Sequence, residues 1–245
     1  MTFVDDGIIV AARPHGEAHA VAEVLTTTHG LWAGLVYGGQ GARVQSVLQL
    51  GNGVRAEWKG RFDDSLGRFS LELETPRAAA LMGDRLALKG LAALSAVAAA
   101  ALPEREAVPG VHDGLAVCLD ALCDPDLWPA LMARWELGLL AAVGYALDLT
   151  KCAATGTTDD LVYVSPKSAR AVSAAAGEPY KERLLPLPAF LAGRAREASL
   201  KEALDALETT GWFLATRCLH PANRDLPEAR ARAIDALRQR LRNDD

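Results

Sequence analysis

The spacing of apolar residues changes near Pro76 and divides the sequence into two regions. Before Pro76, short apolar and β-branched runs alternate with turns that supply Gly, Asn or Asp. These runs predict five strands, GIIVAAR, AVAEVLTTT, GLWAGLVYG, VRAEWKGRF and GRFSLELE. Five antiparallel strands in such a short stretch are typical of a small barrel.

After Pro76 the pattern changes to Ala and Leu at helical spacing, which predicts a mainly helical region. Its most apolar segment, residues 86–102, contains Lys89 and is shorter than the roughly 20 residues that a bilayer core requires, so we expect a buried helix and no contact with a membrane. One exception lies in residues 150–188, where LVYVSPKSARAVS predicts a two-stranded turn between proline-rich connections. The predicted fold class is therefore α+β.

Composition and charge limit the classes of function. The chain has 245 residues, half of them apolar, which indicates a folded protein. Its net charge is −5 and it has no polybasic tail, so any binding of nucleic acid has to rest on local patches. Four cysteines without framework spacing, and no basic-then-apolar start, favour a reducing cytoplasm.

Motifs for catalysis are missing from the sequence. No phosphate-binding loop, G-x-S-x-G elbow or H-E-x-x-H pair occurs. The segment from Gly39 to Val44 approaches a dinucleotide fingerprint but lacks its third glycine. We expect no enzyme activity and no cofactor.

Several short motifs occur in an order that carries a resemblance to a known family. They are Gly7-Ile8-Ile9, Arg13-x-His15-Gly16-Glu17, Thr28-His29-Gly30, Gly38-Gly39 with Arg43, Leu48-Gln49-x-Gly51-Asn52, residues 134–156, Val164 to Ser168, and Thr216-Arg217. Together they resemble the RecO family of bacterial recombination mediators, over almost the whole chain.

The resemblance implies an OB-fold over residues 1–78 and a helical domain over residues 79–245. It further implies binding and annealing of single-stranded DNA, without catalytic residues, in the cytoplasm at the nucleoid. The implied partners are RecR, RecA and single-stranded DNA-binding protein. An alternative is a protein-interaction scaffold whose OB domain has little DNA affinity of its own.

The insert at residues 150–188 resembles a zinc ribbon that has lost its metal ligands. Some family members carry four cysteines there, and Cys152 falls where the first would be, but Thr155, Ser173 and Ala176 take the other positions. One thiolate cannot hold a structural zinc, so we expect no metal. We expect instead a turn closed by hydrogen bonds from Thr155, Thr157 and Asp159, with Cys152 as a small buried hydrophobe.

An OB-fold binds single strands with cations for the phosphates and aromatic faces for the bases. The cations predicted to contact DNA are Arg13, Arg43, Arg55 and Lys59. The aromatic candidates are Tyr37, Trp32, Phe62 and Trp58, although strand alternation favours Trp58 as a core residue. Tyr37 and Arg43 bracket the loop GGQGARVQS, which is either a phosphate contact or a mobile turn. Residues 1–77 contain 7 basic and 9 acidic residues, which predicts weak or salt-sensitive binding by this region alone.

Arg134 and Arg217 in the helical region are candidates for partner binding. Each lies near apolar residues, and a cationic rim beside an apolar groove suits an acidic peptide with a free carboxylate. The resemblance implies that this peptide is the acidic C-terminal tail of single-stranded DNA-binding protein. The alternative for each Arg is a structural tie to a helix end or to an internal carboxylate.

Overall fold

Five strands of the first region close into a barrel, as the sequence predicts. In the computed structural model, which describes residues 1–61 and 66–244, the strands pair in the order β1-β2-β3-β5-β4, and β4 pairs with β1. They are β1 (Thr2–His15), β2 (His19–Thr26), β3 (Gly30–Val36), β4 (Gly53–Lys59) and β5 (Arg68–Thr75). Neighbouring strands run antiparallel except β3 and β5, which meet in parallel. The α+β class with an N-terminal barrel is confirmed.

Four aromatic residues, Phe3, Trp32, Trp58 and Phe69, lie in the barrel core. Trp58 is fully buried, with its ring centroid 5.9 Å from Phe3 and 4.6 Å from Trp32. The prediction that Trp58 belongs to the core is confirmed. The prediction that Trp32 is available for stacking is wrong, because the pleat of β3 turns its side chain inward and leaves it 4% exposed.

A short helix, α1 (Ala42–Val47), lies between β3 and β4, where the sequence predicts only a glycine-rich loop. Its Val44 and Val47 pack against the barrel core. The buried Asn52 fixes its end, since Nδ2 donates to the carbonyl oxygens of Ser46 at 2.9 Å and Val47 at 3.3 Å. The same side chain accepts from the backbone N–H of Ala78 at 3.1 Å. Asn52 therefore holds α1 and the start of the next helix to β4.

Three helices follow the barrel in the same compact unit, Met1–Cys123 with Pro227–Arg230. They are α2 (Arg77–Leu81), α3 (Arg85–Ala101) and α4 (Val111–Asp120). α3 is the apolar segment that predicts a buried helix, and Asp84 caps it by accepting from the N–H groups of Leu86 and Ala87. Arg77 pairs with Asp120. The predicted OB-fold boundary after residue 78 remains a prediction.

The second unit, Asp124–Leu226 with Ala231–Asp245, contains the remaining elements. Its helices are α5 (Trp128–Ala142), α6 (Ala174–Gly177), α7 (Leu200–Phe213) and most of α8 (Glu228–Asp244), and a π-helical stretch, Leu214–Leu219, continues α7. Its sheet has β6 (Leu161–Ser165) between β7 (Arg170–Ser173) and β8 (Leu185–Pro186). The predicted pair of strands is confirmed and has a third member. Across the described residues, every helix is too short or too polar to span a bilayer.

Candidate functional site

A cleft of about 440 Å³ opens on the barrel between α1 and the strands β3, β4 and β5. Tyr37 lines it with 59% of its surface exposed, and its ring meets His19 edge-on at 5.0 Å. Lys59 and Arg68, which face each other across β4 and β5, supply positive charge. An exposed aromatic face beside two cations is suited to a base and its phosphates.

Acidic residues reduce the free positive charge of this barrel. Lys59 Nζ lies 2.6 Å from the carboxylate of Glu57, which also lines the cleft. Arg55 Nη1 lies 2.5 Å from Asp6 on β1, and this hydrogen-bonded pair raises the pKa of Arg55 above its ordinary value. A phosphate that binds Arg55 or Lys59 therefore has to compete with the carboxylate that already pairs with that cation.

The other two predicted cations lie beside α1. Arg43 is exposed on the helix, next to Val44, which lines the cleft. Arg13 lines a separate cavity of about 170 Å³, to which α1 contributes Gln45. The structure thus brings Tyr37 and Lys59 to one site and places Arg13 at another.

Two further residues belong to the comparison of this surface with the sequence-based predictions. Phe62, an aromatic candidate, lies outside the described residues. Arg68 was missed by the sequence analysis, although its place at the start of β5, opposite the end of β4, was a usable signal. Of the aromatic candidates that the structure describes, Tyr37 alone is exposed, because Trp32 and Trp58 are interior.

The second unit has a cavity of about 260 Å³ with Arg217 and Lys167 at its lining. Arg217 Nη2 donates to the carbonyl oxygens of Pro166 and Lys167, each at 3.1 Å. These bonds leave other N–H groups of the guanidinium fork available to a carboxylate. Tyr145 and the buried Phe213 supply aromatic surface. The arrangement combines fixed positive charge with an apolar wall.

Arg134 lies outside the lining of that cavity and is bound by its own chain. Its Nη2 lies 3.1 Å from the carbonyl oxygen of Ala195, 3.2 Å from that of Arg196 and 3.4 Å from that of Phe190. Its guanidinium also covers the Phe190 ring at 5.4 Å. Arg134 thus ties α5 to the segment that precedes α7.

Comparison with known proteins decides the family. The family model for the N-terminal part of recombination protein O matches residues 1–76, and the model for its C-terminal part matches residues 82–225. The chain belongs to the RecO family. The resemblance predicted from the sequence is confirmed, and RecO membership assigns the chain to DNA repair and recombination.

Curated RecO relatives match nearly end to end. DNA repair protein RecO of Phenylobacterium zucineum is 48% identical over 237 residues, covering 97% of this chain and 98% of the relative. The RecO protein of Methylorubrum extorquens is 46% identical over 240 residues, covering 96% and 97%. That of Ruegeria sp. is 46% identical over 243 residues, covering 98% and 100%. These relatives are named as DNA repair proteins and not as enzymes.

In this RecO chain the ribbon-like insert closes around Cys152 through hydrogen bonds. The Cys152 sulfur accepts from Ser173, with the backbone N–H at 3.3 Å and the hydroxyl at 3.4 Å. Thr155 and Thr157 close the turn by accepting backbone N–H groups two residues ahead, as predicted, whereas Asp159 takes part through its backbone N–H. Within residues 1–61 and 66–244, no three His, Cys, Asp or Glu side chains group as metal ligands.

Cys152 is buried as predicted, but it is also a hydrogen-bond acceptor. Burial raises the pKa of its thiol, whereas the hydrogen bonds from Ser173 and Thr155 lower it more strongly, to about 6. Thr155 and Ser173 occupy positions where some family members carry zinc-binding cysteines, and both form hydrogen bonds with the Cys152 sulfur.

Proposed function

We propose that this RecO chain is a recombination mediator that binds single-stranded DNA through the cleft beside α1. The mediator promotes annealing and, with RecR, the loading of RecA onto strand coated by single-stranded DNA-binding protein. The observation that carries the proposal is the cleft that joins the exposed Tyr37 to Lys59 and Arg68. Stacking and charge together are what sequence-independent binding of a single strand requires.

In this proposal Arg43 contacts the strand along the exposed side of α1. Arg43 is exposed and adjoins a cleft-lining residue, Val44, so a strand that stacks on Tyr37 passes close to it. Arg55 contributes less, because its guanidinium is engaged by Asp6. Lys59 contributes once a phosphate displaces the carboxylate of Glu57.

The cavity at Arg217 is the proposed site for the acidic tail of single-stranded DNA-binding protein. Its cations suit the acids and terminal carboxylate of such a tail, while Tyr145 and Phe213 suit an aromatic end. Arg134 has a weaker claim, since it lies outside the lining of this cavity. Its Nη2 donates to three carbonyl groups, and its guanidinium also covers the Phe190 ring.

A second candidate function is an interaction scaffold with little DNA affinity. The ion pairs of Arg55 with Asp6 and of Lys59 with Glu57 favour it, because they neutralise cations that DNA would need.

A titration of fluorescent oligonucleotide at several salt concentrations separates the two functions. The mediator binds the strand with an affinity that falls steadily as salt rises, and Arg43→Ala weakens binding and makes this dependence shallower, by roughly 0.7 in the log–log slope for one phosphate contact. The scaffold shows no binding even at low salt. Equal affinity and slope in Arg43→Ala and the parent would remove α1 from the interface.

A further inference from the structure

The cavity around Arg13 has a lining that differs from that of the first cleft. It measures about 170 Å³ and combines one guanidinium and three amide groups with small apolar walls. The polar residues are Arg13, Gln40, Gln45 and Gln49, and the apolar ones include Ala12, Pro14, Ala20 and Leu48. Among the described residues that line it there is no carboxylate, in contrast to the first cleft with its Glu57.

Hydrogen bonds within the chain fix two of the amides. Gln40 Nε2 donates to the carbonyl oxygen of Gly16 at 2.8 Å and reaches that of His19 at 3.5 Å. Gln49 Nε2 donates to the carbonyl oxygen of Gln45 at 3.2 Å. With these nitrogens engaged, the Oε1 atoms of Gln40 and Gln49 are acceptors available to a ligand. The cavity therefore offers the Arg13 guanidinium as a hydrogen-bond donor and the Oε1 atoms of Gln40 and Gln49 as acceptors.

A nucleobase is the ligand that matches this set of groups. An apolar cavity of about 150 Å³ holds one aromatic ring, so a single base enters while its sugar and phosphate stay outside. Guanine offers acceptors at O6 and N7 to an Arg fork, and donors at N1 and N2 to carbonyl oxygens. Adenine lacks O6 and thymine lacks the N7 that a bidentate contact uses. The apolar walls accept the flat faces of the ring.

We propose that the Arg13 cavity binds one base of the bound strand and favours guanine. This inference rests on the proposed binding of single-stranded DNA and adds a base preference to it. Arg13 then contacts a base edge, whereas Arg43 contacts a phosphate, so the two cations have different signatures. A base contact releases few counterions and leaves the salt dependence almost unchanged.

The test compares strands that differ in one base. The 245-residue chain is titrated with a thymidine strand of about 12 nucleotides, within the site size of one OB-fold. It is also titrated with the same strand carrying one central guanine, adenine or 7-deazaguanine. We expect the guanine strand to bind about tenfold more tightly than the thymidine strand, as one bidentate Arg–guanine contact allows. The 7-deazaguanine strand, which lacks N7 but stacks similarly, loses most of this advantage.

Variants locate the preference through the ratio of guanine to thymidine affinity, which cancels a general loss of binding. Arg13→Lys keeps the charge but lacks the planar fork, so the ratio falls towards one. Arg85→Lys, at an exposed arginine of the same compact unit, is the matched control and keeps the parent ratio. Equal binding of all strands by the parent overturns the base preference and leaves the proposed function standing. If no strand binds at low salt, both fall together.

Discussion

At the scale of a single residue, the exposure of an aromatic side chain separates the barrel core from a candidate for stacking on a base. Trp32 lies on β3, Tyr37 directly follows that strand, and Trp58 lies on β4. The barrel interior takes both tryptophans, whereas Tyr37 follows the end of β3 and remains 59% exposed against His19. The indole N–H of Trp58 donates to the carbonyl oxygen of Ala33, so even its polar group is satisfied inside.

Tyr37→Ala should weaken binding of single-stranded DNA while leaving its salt dependence near that of the parent. The binding free energy should fall by about 1 to 3 kcal/mol, because the variant loses the stacking of one base. The salt dependence should stay the same, because stacking does not change the number of counterions that binding releases. Oligonucleotide titration at several salt concentrations measures both quantities. Tyr180→Ala is the matched control, since Tyr180 is 61% exposed and belongs to the second unit. A loss as large in Tyr180→Ala would refute a specific role for Tyr37.

At the scale of elements, Asn52 joins α1, β4 and the start of α2 through one buried amide. Asn52→Ala removes two donors and one acceptor, which leaves the carbonyl oxygens of Ser46 and Val47 and the N–H of Ala78 without this partner. We expect the free energy of unfolding to fall by about 1 to 3 kcal/mol. Chemical denaturation measures it, and Gln45→Ala, an exposed change on α1, should leave it within about 0.5 kcal/mol. Equal stability of the two variants would contradict this role of Asn52.

The α1 helix also shows where prediction from the sequence stopped. The five strands and the long helices were predictable because each carries its own period of apolar residues. α1 has six residues after a glycine-rich stretch, its N-cap Gly41 makes no side-chain capping bond, and its order comes from packing on the barrel and from Asn52. Its only local signal was the spacing of Val44 and Val47.

Ion pairing was equally hidden in the sequence. Arg55 and Lys59 lie on the exposed face of β4, opposite the buried Trp58. The pairing of Arg55 with Asp6 depends on the register between β4 and β1. The register between β4 and β5 brings Arg68 opposite Lys59. A candidate cation can be selected from the sequence. Whether a carboxylate neutralises it depends on which residues face it on the neighbouring strands, and this requires the structure.

The insert around Cys152 yields a prediction about pH. The pKa of the Cys152 thiol in the folded protein, about 6, lies below the ordinary value near 8.5 of an unfolded chain. The contribution of this thiolate to the free energy of unfolding is therefore fully present above the unfolded pKa and is lost as pH falls through the folded pKa. The free energy of unfolding should therefore rise between about pH 6 and pH 8.5.

Cys152→Ala should lose this part of the pH dependence, and Cys123→Ala, at an exposed cysteine, should retain it. Denaturant unfolding across this pH range under reducing conditions provides the measurement. The same slope in all three proteins would mean that Cys152 remains a neutral thiol in the fold. Ser173→Ala, which removes one donor to the sulfur, should have an intermediate slope.

At the scale of the whole molecule, a net charge of −5 opposes any long-range attraction to DNA. In the proposed function, affinity for DNA then depends on a few local cations, and the proposed protein partner is important because it would bring the chain to coated strand. The two candidate sites belong to different compact units, with Arg43 in the first and Arg217 in the second. Each function should therefore be separable by mutation.

Arg217→Glu should abolish binding of an acidic peptide that ends in an aromatic residue with a free carboxylate, while binding of a bare oligonucleotide stays near that of the parent. Charge reversal removes an Arg fork worth about 1.5 to 3 kcal/mol and adds repulsion, so the loss exceeds tenfold. Arg43→Ala should show the opposite pattern. Fluorescence anisotropy with labelled peptide and labelled oligonucleotide measures both.

Arg134→Glu is the informative comparison, because the Arg134 guanidinium holds three carbonyl groups and its loss should lower the melting temperature. Normal peptide binding by Arg217→Glu, with loss of binding in a fully folded Arg134→Glu, would move the peptide site to Arg134.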